Sequence, residues 1–453
     1  MDPAASEAQA WPDGLLLAYY GDDFTGSTDV MEAFTAAGVP TVLFLRPPTP
    51  AWPARFPEVR SIGLAGQSRG RNPEWMAREL PQAFAGLAAS NAPILQDKVC
   101  STFDSSPETG SIGRAIGIGI GVPLTRGRWS PMTVGAPRLG RYQVFGNLFA
   151  SVDGAGHRLD RHPTMSRHPV APMADADLGR YLAAQTARRF ELIDMLQWRA
   201  GDAPARVREL AGPDVPDVPD VPIMSIDVLN DETLAAAGQL VWQQRGQGLF
   251  SASSSGLQYA LAAHWRSAGL LPAEPSLPGA QAVSTIAVVS GSCSPVTAAQ
   301  IRWAGEERFM LDRLNLERLF DARTGEAEIE RAVATAVDAV QAGRSPLVYS
   351  ECGPDDPAVL GFDASAARAG LSRPEAAQQV ARGLARACAA CWTARRCSAS
   401  SWPVATVLAQ SRAHSTSPRS APSPAWRWVR RCAARGRNSR SATGCRSCSK
   451  AGR

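Results

Sequence analysis

Two adjacent carboxylates, Asp22 and Asp23, come directly after an apolar run and stand at the start of a helical pattern, in the motif GDDFTGSTD. Two acids at the end of a buried strand are costly unless they bind something. One can accept a proton from a substrate hydroxyl while the other orients hydroxyls or a metal-bound phosphate. The alternative is that one aspartate caps the helix and the other is solvated.

A second polar group follows a later strand candidate. Lys98 closes that strand, and Ser101, Thr102 and Asp104 place hydroxyls and a carboxylate in the next turn. This composition is expected for a site that grips a polyhydroxylated acid. Arg69 is the natural partner for the carboxylate of that acid, because a guanidinium can bind both carboxylate oxygens. An ordinary helix cap remains the alternative for the Ser/Thr-rich turn.

A third segment, RLDRHPTMSRHPVAPM, holds two histidines six residues apart and three prolines. His157 directly precedes this segment, but no Cys falls nearby, and we do not predict a metal site. A rigid cationic loop that closes over an anionic substrate suits Arg158, Arg161 and Arg167 better. We predict Arg161 as a substrate ligand.

A fourth segment, VVSGSCSPVTAAQ, places small residues between a strand and a helix that we predict to begin at about Pro295. Such a turn lets the backbone approach a phosphate or ribose, and the helix N-terminus favours the negative charge. We predict that Ser290, Gly291 and Ser292 lie where a phosphate or ribose can approach the backbone. The segment lacks the spacing of a P-loop and the GxGxxG fingerprint, which disfavours an NAD-linked dehydrogenase.

The elements that must position these residues follow a β-α-β order. The run Leu15 to Tyr20 predicts a strand, a helix follows the GDDFTG turn and stops at Gly38, and Thr41 to Leu45 predicts the next strand. This order almost always feeds a parallel sheet. Further strand candidates are 61–66, 93–99, 131–136, 222–227, 248–253 and 347–351.

Proline-rich breaks suggest how the chain divides. We predict an α/β protein of two domains, each a largely parallel sheet flanked by helices, with a poorly folded basic C-terminal tail. The predicted parts are a first domain (14–268), a Pro-rich linker (269–283), a second domain (284–386) and the tail (387–453).

Composition separates the body of the chain from its tail. The 453 residues are 45% hydrophobic and 20% charged, as in soluble globular proteins. No apolar run approaches the ~18 residues that span a bilayer, and the N-terminus lacks a secretory signal, so we expect a cytoplasmic protein without a membrane partner. The tail holds thirteen Lys or Arg and no acid, whereas the preceding 386 residues hold 34 basic and 42 acidic side chains. The net charge of +5 therefore comes from the tail, and we predict no nucleic-acid partner.

Taken together, these segments resemble the four-carbon acid sugar kinase family, whose members phosphorylate threonate, erythronate or 3-oxo-tetronate at the terminal hydroxyl. The matching stretches occur in the order of the family from about Leu15 to Gln300, with a looser match to about Arg386. They are GDDFTGSTD, KVCSTFDSSPETGSIGRA, RYQVFGNLFA, RLDRHPTMSRHPVAPM, SSSGLQYAL and VVSGSCSPVTAAQI.

The resemblance implies that the first domain binds a sugar acid and the second binds ATP, with Mg²⁺ neutralising the phosphates. It matches Asp22 and Asp23 to the paired acids of the family, with Asp23 as our choice of base. Arg69 matches the substrate-side arginine of the family. Lys98, Ser101 and Thr102 match its substrate turn, and the serines of VVSGSCS match its nucleotide region. A homodimer is one assembly that the sequence leaves open.

The tail departs from the family pattern. Two glycine-rich turns that contact ATP are absent after Arg386, and we expect that this segment does not complete a parallel sheet. One hypothesis is a reading-frame shift near 384–387, because re-phased codons at 400–406 permit an apolar strand followed by Gly-Gly. The protein would then be an impaired remnant that binds the sugar acid without a complete ATP site.

Two other interpretations of the tail stay open. The pairs Cys388/Cys391 and Cys445/Cys448 have CxxC spacing and could form a zinc module, although the gap between them is long for one site. A disordered basic tail is the simplest alternative.

Overall fold

The computed structural model describes residues 11–49, 51–123, 127–152, 154–163, 165–167, 171–212, 221–275, 283–397 and 405–409. The chain forms two compact units, residues 1–278 and 279–453. The boundary between them falls within the Pro-rich segment 269–283.

Unit 1 alternates strands and helices along the chain. Its strands are β1 (Leu17–Gly21), β2 (Thr41–Phe44), β3 (Ser61–Ala65), β4 (Ile94–Lys98), β5 (Ser130–Met132), β6 (Arg141–Val144), β7 (Asn147–Val152), β8 (Ala155–Arg158), β9 (Phe190–Ile193), β10 (Ile223–Ile226) and β11 (Leu249–Ser253). Its helices are α1 (Phe24–Ala37), α2 (Trp52–Arg55), α3 (Pro73–Ala88), α4 (Ile112–Ile120), α5 (Leu178–Ala183), α6 (Met195–Ala200), α7 (Ala203–Ala211), α8 (Asp231–Gln243) and α9 (Gly256–Ser267).

The main sheet of unit 1 has five parallel strands in the order β11-β4-β1-β3-β2. A second parallel sheet has the order β5-β10-β9, and a third, antiparallel sheet has the order β6-β7-β8. Strand β1 lies at the centre of the main sheet and is buried along its whole length. The carboxyl ends of β1, β3 and β4 therefore meet at one edge, where open α/β sheets bind ligands.

Both faces of the main sheet are covered by helices. Tyr20 packs with residues of α3 and α4, whereas its neighbour Tyr19 faces the opposite core, which includes residues of α1, α8 and α9. Successive side chains of a strand point to opposite faces, so a strand covered on both sides must be apolar throughout. The run that predicted the first strand has this property.

The joint between β1 and α1 is set by short-range contacts. Asp23 caps the helix, and Gly38 ends it with a left-handed φ of 94°, a conformation that glycine adopts without a steric penalty. The hydroxyl of Tyr19 donates to the carbonyl of Ser27 at 2.9 Å, which ties strand to helix. A Cβ at Gly21 would lie 1.9 Å from Ser27 Oγ, so only glycine allows this close approach.

Unit 2 contains a four-stranded parallel sheet in the order β13-β14-β12-β15. The strands are β12 (Ile286–Ser290), β13 (Met310–Arg313), β14 (Pro346–Tyr349) and β15 (Ala405–Ala409). The helices are α10 (Pro295–Glu306), α11 (Leu316–Phe320), α12 (Gly325–Gln341), α13 (Pro357–Leu360), α14 (Phe362–Arg368) and α15 (Arg373–Cys397). The predicted fold class, parallel sheets flanked by helices in two domains, is confirmed.

The prediction that regular structure ends at Arg386 is wrong. Helix α15 continues to Cys397, because Ala is the best helix former and alanines recur in this stretch. Ala387 and Cys391 are buried with Leu384, at the i, i+3 and i+7 spacing of one helix face.

The expectation that the tail cannot complete a parallel sheet is also wrong. Residues Ala405–Ala409 pair with β12 in parallel, from Ile286 opposite Ala405 to Ser290 opposite Ala409. The stretch ATVLA combines β-branched and apolar residues, and the polar average of the tail hides it. The remaining tail residues, 398–404 and 410–453, lie outside the described part of the chain.

Only the first of the two CxxC pairs falls within the described residues. Cys391 belongs to the core of unit 2, and burial raises the pKa of its thiol to about 11. Zinc needs thiolate ligands, so this environment disfavours a metal role for Cys391. Cys445 and Cys448 lie outside the described residues. Within the parts of the chain that are described, no helix has the length and apolar character to cross a membrane.

Candidate active site

The aspartate pair lies at the carboxyl edge of the main sheet. Asp23 is the N-cap of α1, and its Oδ1 accepts a hydrogen bond from the backbone N–H of Gly26 at 2.6 Å. Asp22 is 6% exposed, and its backbone N–H donates to the carbonyl of Lys98 at 3.1 Å. Asp23 is the more accessible of the two carboxylates, with 17% side-chain exposure against 9% for Asp22.

Arg69, which follows β3, joins both carboxylates. Its Nε lies 2.9 Å from Asp22 Oδ2 and its Nη2 lies 2.6 Å from Asp22 Oδ1, a bidentate pair. Its Nη1 donates to Asp23 Oδ2. All three guanidinium nitrogens are thus engaged by the chain itself. The predicted role of Arg69 as ligand of a substrate carboxylate stays a prediction, and the observed contacts favour the orientation of the aspartates.

Burial governs the charges of this cluster. Burial raises the pKa of Asp22, whereas the positive charge of Arg69 lowers it. The net direction is upward, so the ion pair does not fully offset the loss of hydration of the carboxylate. Burial alone would lower the pKa of Arg69, but the two aspartates and Cys100 raise it well above its usual value. The nearby Asp97 is 2% exposed, and burial followed by the charge of Asp22 raises its pKa well above the ordinary range.

Lys98 brings a second cation to the same edge. The side chain is 3% exposed, and its Nζ donates to the carbonyl of Val99 at 3.0 Å and lies 3.6 Å from Asp29 Oδ2. Gly26 faces this group, since a Cβ there would lie 2.8 Å from Asp23 Oδ1 and 3.0 Å from Lys98 Nζ. The absence of a side chain at Gly26 keeps the amine next to the N-terminus of α1, where an anion is favoured.

We predict that Gly26→Ala lowers kcat/KM about tenfold to 100-fold, because the new methyl group displaces Asp23 or Lys98 by a fraction of an ångström. Steady-state kinetics would measure the effect. The matched control is Gly86→Ala in α3, where a Cβ meets nothing within 4 Å and activity should not change. Equal kinetics for the two variants would contradict this role of Gly26.

A pH-dependent prediction concerns Asp97, whose Oδ1 is buried without a hydrogen-bond partner among the described residues. Its pKa is raised in the folded state, so its contribution to stability is complete below the pKa of the unfolded chain and is lost as the pH rises through the folded pKa. We expect Asp97→Asn to raise the free energy of unfolding at pH 8, and to lose this advantage toward pH 4. Urea unfolding at both pH values would test it; a pH-independent difference would contradict it.

The predicted substrate turn directly follows β4. Thr102 is buried and its Oγ1 lies 3.0 Å from Cys100 Sγ, while Ser101 and Asp104 are half-buried. Phe103 has a φ of 58°, an unusual conformation for a side chain of this size and one often found at functional turns.

Helix α5 and the residues after it hold this turn in place. The hydroxyl of Tyr181 donates to the carbonyl of Ser105 at 2.5 Å, and Gln185 Nε2 donates to Ser105 Oγ at 3.0 Å. The structure therefore brings Asp22, Asp23, Arg69 and the Lys98 turn to one edge of the sheet.

Arg161 is not part of the aspartate cluster in the described structure. It is exposed in a 3-10 turn, Leu159–Arg161, and within the described residues no hydrogen bond or ion pair joins it to the aspartates or to Arg69. The side chain of Arg167 and all of His168 lie outside what the structure describes. The role of Arg161 as a substrate ligand stays a prediction.

Sequence reasoning missed Arg141 and His157, which lie on the antiparallel sheet, and assigned no role to the neighbouring His162. The register places Ala150 opposite Arg141 on one side and opposite His157 on the other. The ring centroid of His162 lies 5.9 Å from that of His157. Every second residue of the stretch NLFASV is buried, as in a strand with one covered face. This alternation is the sequence signal that could have indicated the sheet on which a cation lies opposite the centre of the stretch.

The predicted nucleotide residues lie at the corresponding edge of the unit 2 sheet. Ser290 ends β12, is 3% exposed, and accepts at its carbonyl from the backbone N–H of Ser350 at 3.1 Å. Its Oγ has no hydrogen-bond partner among the described residues. A Cβ at Gly291 would lie 3.3 Å from Leu384 Cδ1, so this position is tightly covered.

The helix that follows begins close to these residues. Ser292 Oγ lies 2.8 Å from Thr297 Oγ1, and Ser294 caps α10 by accepting from the backbone N–H of Thr297. Sequence reasoning assigned no role to Ser350 and Glu351, which follow β14 at the same edge. Burial raises the pKa of Glu351.

Comparisons with known proteins agree with this division. Residues 17–261 match the family described as sugar-binding N-terminal domain. Residues 287–399 match the family described as nucleotide-binding C-terminal domain. The paired aspartates therefore lie in the first of these regions and the serine-glycine turn in the second.

Two curated relatives show the range of similarity. The chain is 65% identical over 380 residues to a 3-oxo-isoapionate kinase of Paraburkholderia graminis, covering 84% of this chain and 79% of that protein. It is 28% identical over 379 residues to a 3-oxo-tetronate kinase of Pseudomonas savastanoi pv. phaseolicola, covering 82% and 81%.

Solved structures share the fold. One is described as a putative tRNA synthase from Salmonella typhimurium LT2, with a TM-score of 0.64, 22% identity, and coverage of 84% of this chain and 83% of that one. Another is Haemophilus influenzae protein HI1011, with a TM-score of 0.59, 21% identity and the same coverage. With both domain families matched in order and a relative at 65% identity, the chain belongs to the four-carbon acid sugar kinase family and is a kinase of that class.

Proposed function

We propose that the protein transfers the γ-phosphoryl group of ATP to a hydroxyl of a 3-oxo sugar acid, with 3-oxo-isoapionate as the first candidate substrate. The observation that carries the proposal is the meeting of Asp22, Asp23, Arg69 and Lys98 at one sheet edge within the sugar-binding region. The 65% identical relative, a 3-oxo-isoapionate kinase, supports the choice of substrate. The 3-oxo-tetronates are the second choice, on the weaker identity to those kinases.

The proposed roles follow from charge and access. Asp23, the more accessible carboxylate, accepts the proton of the attacking hydroxyl, while Asp22 and Arg69 hold it in orientation. Lys98 offsets negative charge that develops on the transferred group. The hydroxyls of Ser101 and Thr102 and the carboxylate of Asp104, which accepts, form hydrogen bonds that position the other hydroxyls of the acid.

The nucleotide is assigned to unit 2. The buried Oγ of Ser290 that lacks a partner among the described residues, the small Gly291 and the capped start of α10 fit a phosphate or ribose. Ser290, Gly291 and Ser292 would hold ATP there. Mg²⁺ would be held by the phosphates and one or two carboxylates, as this ion usually is, and would neutralise the phosphate charge. We propose 14–268 and 284–386 as the two functional domains, the second extended by the end of α15 and by β15.

A second candidate function is a protein that binds the sugar acid without turnover. It is favoured by the absence of the expected glycine-rich turns after Arg386. The match to the nucleotide-binding family ends at residue 399, beyond the proposed junction at 384–387. Sequencing of the gene across codons 384–387 in independent isolates would test the shift, because an uninterrupted frame in all of them would contradict it.

An assay of ATP consumption separates the two candidate functions. Purified chain with Mg·ATP and 3-oxo-isoapionate should release ADP and yield a product heavier by one phosphoryl group in mass spectrometry. A 3-oxo-tetronate is the comparison substrate, and omission of the acid is the control. Calorimetric binding of the acid without turnover would favour the remnant, whereas neither binding nor turnover of either acid would contradict the proposed substrate class.

A further inference from the structure

The antiparallel sheet of unit 1 has one buried face. Along β7 the side chains of Leu148, Ala150 and Val152 are buried, and the residues between them are half-buried. Ala150 lies opposite Arg141 of β6 and opposite His157 of β8. Directly opposite residues in a sheet share a face, so a guanidinium and an imidazole flank the small Ala150 on the buried side.

A second imidazole extends this group. The ring of His162 packs edge to face with that of His157 and is 4% exposed. Its Nδ1 accepts a hydrogen bond from the backbone N–H of Met165 at 3.3 Å, so the neutral ring carries its proton on Nε2. Arg141, His157 and His162, here called the cationic triad, therefore lie near one another on this sheet and in the turn that follows it.

Arg141 differs from Arg69 in its partners. Among the described residues, its Nη1 donates to the carbonyls of Leu139 and Gly140, at 3.2 and 3.3 Å, and its buried Nε has no hydrogen-bond partner. Within the described part of the chain, no carboxylate forms an ion pair with Arg141. Arg141 is half-buried, and a cation partly removed from water without a counter-charge is costly, a cost that a bound anion would offset.

The triad lies close to the substrate turn. The backbone N–H of Val99, which leads into that turn, donates to the carbonyl of Ser253 at 3.0 Å, and Ser254 Oγ donates to the carbonyl of Val134 at 2.8 Å. Two residues after Val134, the backbone N–H of Ala136 donates to the carbonyl of Arg141 at 2.9 Å. The end of β11 therefore joins the substrate turn to the strand that carries Arg141.

We propose that the cationic triad binds the carboxylate of the sugar acid, with Arg141 as the main ligand, so that the hydroxyls of the acid face Asp22 and Asp23. The inference rests on the proposed function and adds the group that selects an acid over a neutral sugar. A carboxylate fits because the fork of Arg141 can bind two oxygens in one plane, whereas the fork of Arg69 is already occupied by the aspartates.

Calorimetry with two probes tests the proposal on the full chain. The probes are 3-oxo-isoapionate and its neutral carboxamide, measured against wild type, Arg141→Gln, Arg141→Lys and the control Arg78→Gln, an exposed arginine of α3. We expect Arg141→Gln to weaken binding of the acid roughly 10- to 100-fold and to leave binding of the amide unchanged. Arg141→Lys, which keeps the charge and loses the fork, should lie between wild type and Arg141→Gln.

Each other outcome counts against the proposal. Unchanged affinity of Arg141→Gln for the acid would overturn it and leave the proposed function intact. A raised KM for ATP with unchanged acid affinity would show that the anion is a nucleotide phosphate, and would also overturn it. If wild type binds neither probe, the proposed function and the inference fail together. If Arg141→Gln does not fold, His157→Gln, at a half-buried position, must still show a selective loss for the acid.

Discussion

Replacement of Asp23 by asparagine should lower kcat about 10²- to 10⁴-fold, the usual contribution of a general base. The substitution keeps the size of the side chain and its capping oxygen, since asparagine caps helices as well as aspartate does. The hydrogen bond from the N–H of Gly26 should therefore survive, and Arg69 keeps its bidentate pair with Asp22, so the variant should fold. Single-turnover phosphoryl transfer would measure the chemical step directly.

The control for this variant is Asp231→Asn, which removes an exposed carboxylate from the first turn of α8. Its kinetics should equal those of wild type. If Asp23→Asn retained more than a tenth of the wild-type rate, the base would be another group, and Asp22→Asn would be the next variant to measure.

The second large effect concerns stability. Arg69→Gln leaves the buried Asp22 and the partly buried Asp23 without their common counter-charge, and we expect it to cost about 3–5 kcal/mol of the free energy of unfolding. Arg69 lowers the pKa of Asp22, so its removal raises that pKa further. The folded variant then gains stability by protonation, and the loss should be larger at pH 8 than at pH 5.

Urea unfolding at the two pH values would measure this loss, with Arg78→Gln as the exposed control. The double variant Arg69→Gln/Asp22→Asn should recover part of the stability, because it also removes one of the two carboxylate charges that the loss of Arg69 leaves without a counter-charge. A loss below about 1 kcal/mol that did not vary with pH would show that the three side chains are not coupled.

Much of the fold follows from local patterns in the sequence. The run before GDDFTG predicted β1, Gly38 predicted the end of α1, and Pro295 predicted the start of α10; the structure confirms all three within two residues. These signals are strong because each depends on a few neighbouring residues, such as a glycine with positive φ or a proline at the first helical position.

The elements that sequence reasoning missed depend on distant partners. Strands β6 and β8 have four residues each, and they mix polar and apolar side chains. Strand β15 is a short apolar stretch inside a polar tail, and only its pairing with β12 identifies it. In each case the partner strand, which the local sequence does not specify, decides the structure.

The site shows the same limit. Motifs identified Asp22, Asp23 and Lys98, because acids and a lysine at strand ends stand out in the sequence. They did not show that Arg69 is bound to the aspartates, since that contact needs β1 and β3 to be neighbours. The position of Arg141 opposite Ala150 was equally hidden, because strand register is a property of the folded sheet.

The separate antiparallel sheet also bears on how such enzymes acquire new substrates. The paired aspartates are held by the joint of β1 and α1, where even one methyl group at Gly21 has no room. Strands β6, β7 and β8 hydrogen-bond with one another and are not part of the main sheet. If the carboxylate of the acid binds at these three strands as proposed, substitutions there can change the choice of acid without moving the aspartates.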